Sequence, residues 1–201
     1  MINIFEIPEL KFNAEKLKQT YLNSSGVWAT YGKNIQNSLH TKYVDENDVL
    51  EHISQLKNYK DLIDNVKFFK TYAKGIIPPH TDKRNVAINI PIITDKNDKI
   101  VFYESKESEK VVVQVEDKEK ETVAKVYKNP KTLETFISDK AFCLNTSAIH
   151  GVVNGSNNNR IILSISFKGK YDNYNLLKDM YKNGELVWNQ KTVNTKQSIA
   201  I

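Results

Sequence analysis

The sequence predicts an α+β chain in which a helical flank packs on a barrel-like core of short antiparallel strands. Three observations predict it. Apolar residues recur at helical spacing towards both ends, seven short segments rich in Val, Ile, Phe and Tyr crowd residues 66–167, and turn-forming residues separate those segments. A length of 201 residues fits one domain over 1–201, with 1–65 as helical support, 66–168 as β core and 169–201 as a C-terminal helix and tail.

In chain order, Leu17 and Tyr21 lie four apart in AEKLKQTYLN, one side of a first helix. The pattern weakens around Gly26, Val27 and Trp28. In DENDVLEHISQL, Val49, Ile53 and Leu56 mark a second helix that Asp45 or Asn47 can cap. From about residue 66 the period shortens. VKFFKTYA, NVAINIPII, KIVFYES, KVVVQVE, ETVAKVY, KAFCLNT and RIILSISF read as strands, broken at Gly75 with Pro78 and Pro79, at TDKND, at EDKEKE and at NGSNNN. VVVQVEDKEKETVAKVY reads as a hairpin with a charged, solvated tip. Tyr171, Tyr174, Leu177 and Tyr181 mark an amphipathic helix that stops near Gly184, and the tail VNTKQSIAI carries no strong signal.

Bulk properties exclude several classes. No run of about 18 apolar residues exists to span a membrane. The start, MINIFEIPELKF, lacks the basic segment and apolar core of a signal peptide. The single cysteine, Cys143, excludes an internal disulfide and suits a reducing compartment, so an intracellular, cytoplasmic location is the expectation. The net charge of +5 comes mostly from lysines interspersed with Asp and Glu, with no long block of one sign, which argues against nucleic acid as partner. Only two of the 29 basic residues are Arg, at 84 and 160. Where lysine serves nearly everywhere else, the planar fork of Arg points to a task such as gripping a carboxylate.

The chemistry concentrates in two segments. In GIIPPHTDKRNVAINIPII, His80 and Asp82 stand two apart beside a strand, so in an extended backbone both face one side. Pro78 and Pro79 stiffen the approach. In LNTSAIHGVVNGSNNNRIILSISF, His150 precedes Arg160 by ten residues, and Arg160 opens the strongest strand signal of the chain. A lone His-x-Asp is weak; its conjunction with a second His and a rare Arg carries the weight. Two imidazoles and one carboxylate on one face of a metal leave the opposite positions open, which suits non-haem Fe(II) and oxygen chemistry. Arg160 then offers a bidentate, charge-assisted bond to the distal carboxylate of a chelating keto acid; its bland alternative is a surface ion pair.

These segments resemble the Fe(II)/2-oxoglutarate-dependent dioxygenases over about residues 66–168, and among them look most like the aspartyl/asparaginyl β-hydroxylase-like branch. The resemblance implies a double-stranded β-helix (jelly-roll, cupin-like) core, Fe(II) held by His80, Asp82 and His150, and 2-oxoglutarate anchored by Arg160. It implies hydroxylation of an unactivated C–H of a peptide residue or small molecule, with release of succinate and CO2. Ser147, three before His150, fits the same pattern. Departures exist. Asn89 stands where some members of the branch place an Arg for the other end of 2-oxoglutarate, and Pro91 stands where a His can occur. Some such members lack the carboxylate ligand that Asp82 supplies, and the Arg-x-Ser pair of other dioxygenases is missing because position 162 is Ile.

Other candidates weigh less. Tyr72 precedes the motif and is a candidate to reach the cosubstrate, against the alternative of a core tyrosine. Lys83 and Arg84 flank the site and can meet an acidic substrate, with loop exposure as the default. His40 and His52 read as structural or exposed, and Cys143 as a small buried thiol. Two rivals stay open: a non-catalytic barrel that binds a metal or carboxylate ligand, and a hydrolytic Zn²⁺ site, which leaves Arg160 without a task. The sequence carries no readable code for the substrate or the oligomeric state.

Overall fold

The computed structural model describes residues 3–24, 28–30, 39–113 and 122–186. In chain order these form β1 (Ile4–Glu6), α1 (Ala14–Asn23), β2 (Trp28–Thr30), β3 (Leu39–Tyr43), α2 (Glu46–Leu50), a 3-10 segment (Ser54–Leu62), β4 (Ile63–Thr71), β5 (Ile76–His80), β6 (Val86–Ile93), β7 (Asp98–Glu104), β8 (Glu107–Val113), β9 (Thr122–Lys128), β10 (Lys131–Phe136), β11 (Phe142–Asn145), β12 (His150–Asn154), β13 (Arg160–Phe167), a 3-10 turn (Gly169–Tyr171) and α3 (Tyr174–Lys182).

The strands form two antiparallel sheets, ordered β1-β11-β6-β13-β4-β3-β2 and β10-β7-β12-β5-β9-β8. From β4 to β7, and again from β10 to β13, the chain passes strand by strand between the sheets, apart from the inserted hairpin β8–β9. That alternation is the double-stranded β-helix, as expected from the sequence.

Two apolar layers hold it. Along β13 all eight residues are buried, because both faces of the strand are covered. Ile161, Leu163, Ile165 and Phe167 pack with Val66, Phe68, Ile88 and Ile90 against Leu17, Val49 and Leu177 of the three helices. On the other side of the sheet, Ile4, Ile100, Phe102, Phe142 and Leu144 fill part of the space between the sheets. Each such side chain contributes roughly 1.5–3 kcal/mol by leaving water. Beside Phe69, Ile162, Ala87 and Pro91, the inward positions on β4, β6 and β13 include seven polar residues: Asn65, Lys67, Thr71, Asn89, Arg160, Ser164 and Ser166. A barrel interior that keeps so many polar groups is a site.

The N-terminal third corrects the helical expectation. Asn13 and Asp45 cap α1 and α2 through their side chains, as their residue types favour. However, β1 joins the edge beside β11, β2 and β3 extend the sheet beyond β4, and β4 begins at Ile63. The second helix stops at Leu50 and continues as 3-10 turn from Ser54 to Leu62. The hairpin pairs β8 with β9 as read, while its charged tip, 114–121, lies outside the described residues. So do Gly26, Val27 and the C-terminal tail. Helix α3 ends as expected, with Gly184 at a φ of +67° in the left-handed region.

Candidate metal centre

His80 closes β5 and His150 opens β12, and the two residues face each other across the ladder of these strands. Their rings lie 4.5 Å apart. Gly151 permits that approach: a Cβ there would sit 2.7 Å from the Ile77 carbonyl oxygen and 3.2 Å from the Tyr103 ring. Pro78 and Pro79 forgo ladder donors, which β5 tolerates because it meets β9 only at His80.

Asp82 reaches the pair by a backbone return. Its N–H donates to the Thr146 carbonyl (3.0 Å), the Thr146 hydroxyl donates to the Arg84 carbonyl (2.6 Å) and the Thr146 N–H to the Asn85 carbonyl (3.1 Å). The Ser147 hydroxyl adds a bond to Asn85 Oδ1 (2.8 Å). The loop after β5 is thereby zipped to the loop before β12, so His80 and Asp82 meet His150 with ligand atoms within 4.8 Å of one another.

Protonation suits a cation between them. Each imidazole sets Nδ1 against the carbonyl oxygen two residues earlier, Pro78 at 2.8 Å and Ala148 at 2.9 Å. A carbonyl only accepts, so Nδ1 carries the hydrogen and Nε2 keeps its lone pair for a metal. His80 Nε2 nevertheless lies 3.5 Å from Asp82 Oδ1. A lone pair facing a carboxylate oxygen requires a proton or a metal ion between them. Burial opposes charge on His80, but the hydrogen bond and charge of Asp82 outweigh it and raise its pKa. His150 is pushed down to about 4 by burial and then by His80. Burial raises the Asp82 pKa, yet the His80 hydrogen bond and the Arg84 charge carry it well below the usual carboxylate range.

Arg84 was assigned to a solvated loop by the sequence; instead it turns inward. Nε donates to Asp82 Oδ2 (3.0 Å), and Nη1 donates to the hydroxyls of Ser164 (3.0 Å) and Ser166 (3.1 Å). Ser166 passes the chain on to Asn65 Oδ1 (3.1 Å). The Asp82 carboxylate is thus held from behind by β13. The sequence signal was the rarity of Arg.

Arg160 opens β13 on the same inward face, buried to 7% exposure. Among the described residues its guanidinium has no hydrogen bond and no ion pair. Burial brings its pKa down to about 10, with Asp98 the only charge pulling it up. Directly opposite on β4 stands Thr71, whose buried hydroxyl also has no partner. An unpaired guanidinium beside an orphaned hydroxyl inside a barrel is a fitting receptor for a carboxylate. Thr71 escaped the sequence reading, although its inward register on β4 was available there. Asn89, opposite Ser164 and Phe142, is buried on this face and its amide has no partner among the described residues.

Tyr72 is not brought to this group. It follows Thr71 and shares the opposite face with Lys70, whose ammonium lies 4.2 Å from its ring centre, and its influence reaches Tyr21 of α1 on the helical side. Thr71, the last residue of β4, takes the inward position opposite Arg160, and Tyr72 follows beyond the strand. Lys83 stays exposed, His52 pairs with Glu51 at 3.1 Å, and His40 stands on β3 in register with Lys70 of β4. Cys143 is fully buried, and burial pushes its thiol pKa up.

No family model and no curated protein matches the sequence. Solved structures match the fold. A non-haem α-ketoglutarate-dependent epimerase of nogalamycin biosynthesis, SnoN, superposes with a TM-score of 0.52 at 7% identity, over 83% of this chain and 77% of that one. A 2OG-Fe(II) oxygenase family oxidoreductase from Burkholderia pseudomallei gives 0.49 at 9% identity, over 86% and 87%. HygX from Streptomyces hygroscopicus, solved with nickel, 2-oxoglutarate and hygromycin B, gives 0.47 at 7%, over 86% and 85%. At 7% identity the likeness to the epimerase speaks for a shared fold alone, the double-stranded β-helix. It gives no support to the aspartyl/asparaginyl branch in particular.

Proposed function

We propose that this chain is an Fe(II)- and 2-oxoglutarate-dependent oxygenase that hydroxylates an unactivated C–H of a small molecule or a peptide residue. The observation that carries the reading is the meeting of His80 and Asp82 with His150, from two segments about 70 residues apart in the chain, within 4.8 Å. Two neutral imidazoles and one carboxylate fit Fe(II) and leave coordination positions for other ligands. A hydrolytic zinc ion fits the triad equally but leaves unexplained a buried guanidinium that makes no ion pair among the described residues.

Under this reading the chain's own residues divide the work. His80 and His150 present Nε2, each ring fixed by its Nδ1–H bond to a backbone carbonyl. Asp82 presents Oδ1 while Arg84 holds Oδ2. Arg160 and Thr71 grip the distal carboxylate of 2-oxoglutarate, and Asn89 offers an uncharged hydrogen bond to the same cosubstrate. Ile162, Phe69 and Phe102 give the interior apolar walls that keep bulk water out. The bound Fe(II) and 2-oxoglutarate supply the oxidising power, with O2 as co-reactant and succinate and CO2 as products. The soluble-assay test is succinate release under air from the Fe(II)-loaded protein. Release that depends on 2-oxoglutarate and disappears in His150→Ala supports the reading; tight 2-oxoglutarate binding with no succinate formed under any substrate mixture favours the non-catalytic ligand-binding module instead.

A further inference from the structure

Lys67 lies at the centre of β4 and is not used by the oxygenase reading. Its direction follows from its neighbours. Asn65 accepts from Ser166, and Phe69 lies 5.5 Å beneath the Arg84 guanidinium, so both point into the barrel. Lys67 stands between them and therefore shares their face, while Val66 and Phe68 point to the helices. Across the ladder Lys67 opposes Ser164, the residue that holds Arg84, and on its other side it opposes Tyr43 of β3. Directly opposed side chains start about 5 Å apart.

The ammonium has aromatic walls and no anion. Nζ lies 5.1 Å from the Phe69 ring centre and 5.6 Å from that of Tyr43. Among the described residues it makes no hydrogen bond and no ion pair. Burial, then the charge of Arg84, pulls its pKa down to about 8, against the opposing pull of Asp82 and Asp64. The two acids are committed elsewhere: Asp82 to Arg84, and Asp64 to the Asn65 amide at 2.6 Å. Tyr43 is 54% exposed, so this end of the row opens to solvent and a ligand can enter there. A keto-acid cosubstrate has its distal carboxylate taken by Arg160, four residues along β13 from Ser164, and its other end on the metal. A third cation, half-buried and without a partner, remains.

We propose that Lys67, with Phe69 and Tyr43, forms a substrate subsite for an anionic group, a carboxylate or a phosphate, carried on an apolar or aromatic body. The proposal rests on the oxygenase reading for the word substrate, and on β4 alone for the anion site. The ammonium supplies the charge-assisted bond, the two rings supply a flat apolar surface, and Arg84 adds a second positive charge nearby. The substrate class thereby narrows to acids.

The test uses the full chain loaded with nickel(II) and saturating 2-oxoglutarate, titrated by calorimetry with benzoate, inorganic phosphate and neutral benzamide. The expected result is that at least one of the two anions binds about tenfold more tightly than benzamide, and which one binds tells carboxylate from phosphate. Lys67→Met is expected to lose that preference, Lys67→Arg to keep most of it, and 2-oxoglutarate affinity to stay within about twofold of wild type in both. The proposal is overturned if neither anion binds, if Lys67→Met binds the anion as wild type does, or if 2-oxoglutarate affinity falls in step, which would make Lys67 a cosubstrate residue. A protein that takes up neither nickel nor 2-oxoglutarate, yet still prefers the anion through Lys67, would sink the oxygenase reading and leave the anion site standing.

Discussion

Replacing Arg84 with methionine keeps the length and apolar stem of the side chain and removes its fork. Three bonds go with it: one at 3.0 Å to the Asp82 carboxylate and two to the hydroxyls of Ser164 and Ser166, at 3.0 and 3.1 Å. Arg84 and Asp82 are 14% and 24% exposed, so solvent screens the stranded carboxylate only in part. Breaking one partner out of a largely buried pair costs about 3–5 kcal/mol; with that partial screening the metal-free protein should lose about 3 kcal/mol at neutral pH. The sign with pH follows from the depressed pKa of Asp82, to which Arg84 contributes. Stability from such a group is present above the ordinary carboxylate pKa and lost as pH falls, so the gap between variant and wild type should narrow in acid. Urea unfolding of both proteins at neutral and acid pH measures it. Arg84→Lys keeps the charge without the fork and should fall between the two. A methionine variant within about 0.5 kcal/mol of wild type at neutral pH would refute the idea that Arg84 braces the Asp82 carboxylate.

Other outcomes follow from the same geometry. Arg160→Met removes a buried, unpaired cation, so the ligand-free protein should unfold no more easily than wild type, while calorimetry should show 2-oxoglutarate binding weakened about tenfold to a hundredfold. Gly151→Val forces a side chain against the Ile77 carbonyl and the Tyr103 ring, and should separate β5 from β12 and weaken divalent-metal affinity by about tenfold or more, read by competition with a chelating dye. The raised pKa of the Cys143 thiol means that stability is full below the unfolded thiol pKa and declines as pH rises above it; Cys143→Ala should flatten that alkaline decline in thermal melts, and the native thiol should resist iodoacetamide until the protein unfolds.

The parts legible in sequence were those with a strong local period. RIILSISF is β13 residue for residue, because its run of Ile, Leu and Phe marks a strand covered on both faces even with Arg160, Ser164 and Ser166 on the inner one. NVAINIPII loses only its first residue in β6. The strands that escaped are those whose residues are chosen for something else. β5 holds Pro78 and Pro79, β12 holds Gly151 for close approach, and β10 is almost wholly exposed, so none shows the expected pattern. β1 and β3 sit towards the ends of the sheet order, where partners far along the chain complete short segments. At the site, the residue types of His80, Asp82 and His150 stood out in the sequence, but strand alternation does not place Asp82, which lies beyond β5 and is brought round by its bond to the Thr146 carbonyl. The inward turn of Arg84 was not readable, since it depends on Thr146, 62 residues away, bonding the Arg84 carbonyl. Tyr72, a candidate to reach the cosubstrate with a core tyrosine as its alternative, falls one residue past the pairing, because the register sets Thr71 opposite Arg160.

The claim on which the rest depends is that one ion and one keto acid are held together by these side chains. Anaerobic addition of Fe(II) and 2-oxoglutarate to the protein, followed by visible absorption, tests it most directly. The account predicts a weak charge-transfer band that needs both additions, vanishes in His80→Ala, and requires much more 2-oxoglutarate in Arg160→Met. Absence of the band in the wild type, or an undiminished band in His80→Ala, would contradict it.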